Sequence, residues 1–498
     1  MIKLENLCYK SDGRLLLDNI TIDFYSGDCW ALCGANGSGK SLLAMIMGGL
    51  LKASSGSVIL EGKIGYASFE RQHKILSDER RRENSGFMQG APDEGTRLRT
   101  FLTGEITGQK DFNDEFNFLR YTDMFGLGKI ADRGIRFLST GEFRKALLCR
   151  ALLAKPDILI IDDPYDGLDV VSREHLKQLL DILAGSGERL FLITPRPAEI
   201  PEWITHAVFL DNGRLISAGE YSGKETAGSG SNKKSAGGWG RKAADIIYVH
   251  EEESASPAKS TNCYDEIVIS MKDVSVAYDG RRVISGINWT VTAGERWKIT
   301  GPNGCGKSTL ISLINGDNPK AYSNDITLFG KKRGSGETVW DIKKRIGFVS
   351  GDFQMNYRMR TTLLDTVLSG FYDSIGLYIK PTGLQLDEAH WWLEAAGLHD
   401  KKGKMLKELS YGERRTALII RALIKKSELV ILDEPCQGLD EENTSSVIEV
   451  INMLSSFPDV TILLVTHGSM PDPEGFRRHL SFCPHPEGGY TAMIKETI

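Results

Sequence analysis

Two eight-residue segments in this chain have the composition of a phosphate cradle. Gly34-Ala-Asn36-Gly37-Ser-Gly39-Lys40-Ser41 and Gly301-Pro-Asn303-Gly304-Cys-Gly306-Lys307-Ser308 both read GxxxxGK[ST]. Glycines at this spacing let backbone N–H groups curl around phosphate oxygens at a helix N-terminus. Lys40 and Lys307 would neutralise the β- and γ-oxygens, and the Ser41 and Ser308 hydroxyls would ligate Mg²⁺. Thr309, next in the chain, joins the second cradle. One such match can be a fortuitous Gly-rich turn; two in register leave that reading without weight. The chain is expected to bind nucleotide with Mg²⁺.

A second pair of segments supplies the carboxylates. The apolar runs Ile158-Leu-Ile-Ile161 and Val430-Ile-Leu432 end in Asp162 and Asp433. From a strand end, a carboxylate reaches the Mg²⁺ of a phosphate loop through water. The following residues, Asp163 and Glu434, are the candidate general bases for an attacking water. Strand-end capping is the alternative reading, and the phosphate loops are the context that argues against it.

The elements that must hold these residues follow from an internal repeat. Lys40 recurs as Lys307, Leu138-Ser-Thr-Gly-Glu142 as Leu409-Ser-Tyr-Gly-Glu413, and Asp162 as Asp433, in one order and at nearly one offset. The chain is therefore expected to hold two homologous domains, at 1–221 and 266–498, joined by a Gly/Ser-rich flexible linker at 222–265. That linker would reach ~30–40 Å as a random coil. Within each half the expected pattern is strand, Gly-rich loop, helix, a helix-rich middle, then more strands. Unbroken apolar runs suit strands of a parallel sheet covered on both faces. Helices are expected over Leu42–Leu51, Leu310–Ile314, Phe116–Leu127 and Trp391–Leu398. The fold class is α/β, twice.

Composition narrows the function classes. Lys+Arg 61 against Asp+Glu 66 gives a net charge of −5, which argues against a polyanion-coating protein, and nucleic acid is not supported as a partner. A hydrophobic share of 41% with 26% charged is ordinary globular composition. No apolar run reaches the ~18–20 residues of a membrane-spanning helix, and no signal peptide is visible. Eight scattered cysteines without a CxxC pair read as reduced thiols. The expected address is cytoplasmic, or peripheral on the cytoplasmic face of the inner membrane. Cys305, inside the second loop, raises oxidative inhibition as a lesser reading, while Ser38 at the same place argues for a tolerated small residue.

With the Leu138 and Leu409 pentapeptides, both halves resemble ABC-type ATPase domains over almost everything except the linker. The resemblance implies two tandem domains, each with a RecA-like, mostly parallel sheet core and a helical subdomain, that hydrolyse ATP. It also implies intramolecular head-to-tail pairing. Ser139 and Gly141 would meet the second phosphate loop, and Ser410 and Gly412 the first. Tyr9 and Tyr278 match the aromatic that stacks on adenine in this family. Thr140, Tyr411, Glu142 and Glu413 depart from the family's signature consensus. His467 matches the histidine that contacts the γ-phosphate, whereas the first half has Pro195 there, with no proton to donate. A degenerate site on Lys40, Ser41, Asp162 and Asp163 is therefore expected beside a competent one on Lys307, Ser308, Asp433, Glu434 and His467. The family's coupling glutamine is absent from both halves; Glu70, Gln72, Asp352 and Gln354 are nearby substitutes.

A narrower resemblance rests on Leu138-Ser-Thr-Gly-Glu, Asp166-Gly-Leu-Asp-Val, Tyr322-Ser-Asn-Asp325, Gly334-Ser-Gly-Glu-Thr-Val-Trp-Asp-Ile-Lys343 and Leu368-Ser-Gly-Phe-Tyr-Asp-Ser-Ile-Gly376. These look like the ModF/photorepair-type tandem ABC proteins of bacteria. The leading expectation is a peripheral ATPase energising a separate inner-membrane permease, for molybdate by family label. Arg80-Arg-Arg82 could contact such a partner or be a solvated helix face. Two alternatives stand beside it: a non-transport switch acting on nucleic acid, ribosome or a protein client, and a tandem sugar-import-type ATPase.

Overall fold

A computed structural model describes residues 1–11, 13–25, 27–69, 75, 79, 95–104, 115–221, 223, 266–278, 280–351, 360–455, 457, 460–467 and 470–496. The expected linker (Gly223 apart), the four glutamine substitutes and Arg80-Arg-Arg82 lie outside these residues. The chain divides into two compact units, Met1–Asn232 and Lys233–Ile498.

In the first unit, β1 (Ile2–Ser11) and β2 (Arg14–Phe24) form a hairpin, and β3 (Trp30–Cys33) runs through the Gly-rich loop into α1 (Lys40–Met47). Next come β4 (Ser55–Leu60), β5 (Ile64–Ser68), α2 (Leu98–Thr103) and α3 (Glu115–Met124). The signature helix α4 (Thr140–Leu153) precedes β6 (Ile158–Asp162), α5 (Val170–Gly185), β7 (Leu190–Thr194), β8 (His206–Asp211) and β9 (Arg214–Glu220). Strands β2-β1-β4 form an antiparallel layer. A second sheet runs β5-β6-β7-β3-β8-β9, parallel except at β9. This order brings the C-terminal ends of β3, β7 and β6 side by side, the edge at which open α/β sheets bind ligands.

The second unit repeats the plan with β10 (Ile267–Tyr278), β11 (Arg281–Thr292), β12 (Arg296–Thr300) and α6 (Lys307–Ile314). It continues with β13 (Asp325–Leu328), β14 (Lys331–Lys332), α7 (Val339–Arg345), β15 (Ile346–Val349), α8 (Leu363–Leu368) and α9 (Gly383–Ala395). Last come the signature helix α10 (Tyr411–Leu423), β16 (Leu429–Asp433), α11 (Glu441–Ser455), β17 (Thr461–Thr466), β18 (Arg478–Pro484) and β19 (Tyr490–Glu496). Its strands form one continuous sheet, β14-β13-β10-β11-β19-β18-β12-β17-β16-β15. A parallel pairing of Ile284 with Tyr490 joins the antiparallel layer to the core.

The apolar runs are strands because each of their two faces has a core to enter. Ile158 and Ile160 pack with Leu43 and Met47 of α1, while Leu159 and Ile161 pack with Phe143 and Leu148 of α4 and Leu180 of α5. In the second unit Leu429 and Ile431 face Leu310 and Leu313, and Val430 and Leu432 face Ala417 and Ile420. Each such side chain contributes about 1.5–3 kcal/mol by leaving water. Helix ends differ from expectation where glycine intervenes. α1 starts two residues early and stops at Met47, ahead of Gly48 and Gly49; α3 stops at Met124, ahead of Gly126. No helix among the described residues is long and apolar enough to cross a membrane.

Candidate functional site

Both Gly-rich loops close onto the helix that follows. Gly39 and Gly306 precede α1 and α6 in the left-handed region, at φ 99° and 103°, and neither helix has a side-chain cap. A Cβ at Gly39 would sit 2.6 Å from Leu17 Cδ2, and one at Gly306 2.9 Å from Ile284 Cγ1. The antiparallel layer thus presses on the loop at a position where a side chain would collide with it. Uncapped N–H groups at the start of a helix suit an anion. Lys40 Nζ donates to the carbonyls of Gly34 (2.7 Å) and Ala35 (2.8 Å), and Lys307 Nζ to those of Gly301 (2.7 Å) and Pro302 (3.0 Å). An ammonium held inside its own loop can exchange these carbonyls for phosphate oxygens when an anion enters. Asn36, Gly37, Asn303 and Gly304 complete the two loops, and a Cβ on Gly37 or Gly304 would meet open space. Cys305 is fully buried, its Sγ 2.7 Å from where a Gly301 Cβ would lie, so it fills volume beneath the loop.

The Mg²⁺ candidates converge in the first unit. Ser41 Oγ donates to Asp162 Oδ1 at 3.3 Å, and the Tyr66 hydroxyl donates to Asp162 Oδ2 at 2.8 Å. A hydroxyl beside one carboxylate fits a small hard cation that takes its other ligands from water and phosphate. Ser308, the second residue of α6, and Asp433, which ends β16, hold the corresponding positions. Tyr66 was not among the sequence candidates; its β5 position corresponds to Phe348 on β15, which has no hydroxyl.

The two candidate bases share one backbone. Asp163 and Glu434 are both left-handed, at φ 48° and 51°, a conformation costing about 1–3 kcal/mol. Each is pinned by its own N–H, Asp163 to the Ile193 carbonyl and Glu434 to the Val465 carbonyl, both at 2.9 Å. Their side-chain surroundings differ. Glu434 Oε1 lies 3.6 Å from His467 Nδ1, with both side chains largely buried. Asp163 has Asp162, Asp166 and Glu199 for neighbours. Burial first, then Asp166, Glu199 and Asp162, pushes its carboxyl well above the usual carboxylate range, against the opposing pull of Arg144. Pro195 follows β7 where His467 follows β17. Near it Glu199 accepts from Thr194 Oγ1 (2.8 Å) and pairs with Arg196 (3.0 Å) and Arg173 (3.3 Å).

The signature segments begin α4 and α10. Ser139 Oγ accepts from the Glu142 N–H at 3.2 Å, and the Ser139 N–H donates to Glu142 Oε2 at 2.7 Å. Ser410 and Glu413 repeat this box at 3.2 and 2.8 Å. The glutamates that depart from the family consensus are therefore what closes each cap. Gly412 is packed against α11, where a Cβ would lie 2.2 Å from Asn443 Oδ1, whereas one at Gly141 would meet Ser172 Oγ at an ordinary 3.6 Å.

The two candidate base-stacking tyrosines are also unequal. Tyr278, 43% exposed at the end of β10, accepts a hydrogen bond from Asn318 Nδ2 at 2.7 Å. Asn318 is buried just after α6, donates to Ser312 Oγ at 3.1 Å and accepts from the Lys320 N–H at 3.0 Å. Tyr9 is partly buried in the apolar cluster that includes Leu42 and Leu51. Neither Asn318 nor Tyr66 carries a motif signal, because each acts on a partner distant in sequence.

Comparison with known proteins bears on this arrangement. The ABC transporter family model matches residues 17–166 and again 284–437. The chain is 39% identical to the ABC transporter ATP-binding protein ModF of Escherichia coli over 98% of this chain and 97% of that one. It is 26% identical to the energy-dependent translational throttle protein EttA of Mycobacterium tuberculosis, over 91% of this chain and 86% of the relative. Among solved structures, the archaeal ribosome recycling factor aABCE1, in complex with ribosomal stalk protein aP1, superposes with a TM-score of 0.55 at 16% identity. That match covers 99% of this chain and 90% of the other, a likeness of fold.

Proposed function

Because the chain belongs to the ABC transporter family, whose ATP-binding domain it carries twice, we propose that its two nucleotide sites are unequal and that the second half performs most of the turnover. The chain is an ATPase, converting ATP and water to ADP and phosphate. The observation that carries the asymmetry is the Glu434–His467 pair at 3.6 Å, set against Asp163 among carboxylates and Pro195. Glu434, as general base, takes the proton of the attacking water at its carboxylate, and His467 steadies the γ-phosphate. Asp163, one methylene shorter than glutamate and with proline where the second half has His467, is less well placed to accept that proton. Ser308 with Asp433, and Ser41 with Asp162, would hold Mg²⁺, which when bound neutralises charge on the β- and γ-phosphates. Tyr278 and Tyr9 are assigned to adenine. Ser139 with Gly141, and Ser410 with Gly412, are assigned to the opposite halves' phosphate loops, on the family resemblance of both segments.

For the client, we assign a peripheral energising subunit of a separate inner-membrane permease. The support is 39% identity, over nearly the whole length, to ModF, an ABC transporter ATP-binding protein, with molybdate as the solute its family label suggests. A second reading, a cytosolic switch acting on the ribosome, is favoured by the near-full-length similarity to EttA, named a translational throttle. Purifying the Glu434→Gln protein from gently solubilised cells with ATP and Mg²⁺ tests both. A stoichiometric permease supports the first reading. Ribosomes in its place, with no membrane protein, support the second and overturn the first.

A further inference from the structure

Each signature helix sends an arginine into the turn that follows the catalytic strand, and the two do not grip it equally. Arg415 of α10 is 0% exposed. Its Nε donates to the Pro435 carbonyl at 2.9 Å, and its Nη2 to the carbonyls of Asp433, at 3.2 Å, and Glu434. One planar guanidinium thus holds three consecutive backbone oxygens, centred on the left-handed Glu434. Its Nη1 has no hydrogen-bond partner among the described residues. Arg144 of α4 sits at the equivalent place with less purchase. Its Nη1 donates to the Pro164 carbonyl at 2.6 Å, its Nε has no partner among the described residues, and it lies 5.0 Å from the Phe69 ring centroid.

Burying a guanidinium is costly, and replacing buried charge with apolar side chains is often neutral or stabilising. A fully buried arginine spent on backbone carbonyls is therefore poorly explained by stability alone. What it uniquely spans is the distance between two functional segments. Arg415 lies five residues after Ser410, whose box forms the N-terminus of α10, and its fork ends on the turn that aims the Glu434 carboxylate at His467. Lysine, a point charge, cannot span three carbonyls as the rigid fork does.

We propose that Arg415 is a positioning residue for turnover: it couples the N-terminus of α10 to the turn carrying Glu434, so that a phosphate anion at Ser410 is felt in the aim of the base. Arg144, with its single bond, transmits little. This rests on Glu434 acting as the base, so Glu434→Gln is run in parallel. Steady-state ATPase of Arg415→Lys is expected to show kcat lowered by roughly 10–100-fold, as small misplacements of catalytic groups do, with KM for ATP within about twofold. Arg144→Lys is expected to lose less than about twofold by the same measure. Ser410→Ala is expected to lower kcat in the wild-type background and to add almost nothing on top of Arg415→Lys, because coupled residues are not additive.

If Glu434→Gln keeps its turnover, the base assignment fails and this inference with it. If Glu434→Gln is inactive while Arg415→Lys keeps wild-type kcat, only the inference is overturned. Independent, additive losses from Ser410→Ala and Arg415→Lys overturn the coupling. An Arg415→Lys protein that fails to fold, by circular dichroism and melting, shows the arginine to be structural and also overturns it.

Discussion

The turns holding Asp163 and Glu434 have the same backbone and opposite electrostatics. Their φ angles differ by only a few degrees and both N–H groups bond the adjacent strand at 2.9 Å. Three residues on, Asp166 in one half corresponds to Gln437 in the other, and after the next strand Pro195 corresponds to His467. The first turn has thereby collected carboxylates, and the second a neutral amide and an imidazole. Backbone geometry at a catalytic turn is thus preserved independently of the chemistry mounted on it. A matching fold is weak evidence that two sites do equal work.

The sharpest way to break this comparison is to remove each base alone. Glu434→Gln is expected to lower ATP turnover by ~10²–10⁴-fold, and Asp163→Asn to change it little, by steady-state phosphate release. Equal losses would mean that the two turns are equivalent after all. Next in size is packing at the signature. Gly412→Ala must displace Asn443 and should cost about 1–3 kcal/mol in urea unfolding, while Gly141→Ala is tolerated. A similar loss at both would count against the packing difference.

The pH dependence sharpens the electrostatic half. Because the folded Asp163 carboxyl titrates well above its unfolded value, its stabilising contribution is full below the unfolded pKa and is lost as pH rises through the folded one. Asp163→Asn has no such proton to lose. Its melting temperature relative to wild type should climb as pH rises above the ordinary carboxylate range and be flat below it. A pH-independent difference would remove the buried-carboxylate argument. The smallest effect expected is at Asn318→Leu, which gives the second half the leucine found at position 51. With one hydrogen bond gone from Tyr278, ATP affinity measured with a fluorescent analogue should weaken by no more than about tenfold. An unchanged affinity would leave Tyr278 positioned without Asn318.

Much of this was legible in the sequence because it is local. Phosphate loops, strand-end carboxylates and signature pentapeptides are contiguous, and each specifies its own backbone, so their strands and helices form where the residues predict. The alternation of Ile158, Leu159, Ile160 and Ile161 between two cores also follows from period two and an apolar run. What the sequence did not disclose are contacts between separate segments. Arg415 acts on carbonyls, which every residue has, so no residue type marks its target. Asn318 reaches Tyr278 forty residues back, and Tyr66 reaches Asp162 across the sheet. The glutamates at 142 and 413 were visible as departures from a consensus, but their use as cap partners needed the helix start in space.

The two units also differ in how the antiparallel layer is attached. In the first, no strand pairing among the described residues joins β2-β1-β4 to the six-stranded sheet; Asp18 bonds the Gly213 carbonyl at 2.8 Å and pairs with Arg214. In the second, the Ile284–Tyr490 pairing makes one fabric of ten strands. Seen as local unfolding, the first layer can swing open by breaking side-chain packing and a few polar contacts, whereas the second must also break the Ile284–Tyr490 strand pairing. Amide protons in 2–24 should therefore exchange with deuterium ahead of their counterparts in 267–292. The phosphate loop under Leu17 would then be the one that breathes, and nucleotide should enter and leave it faster.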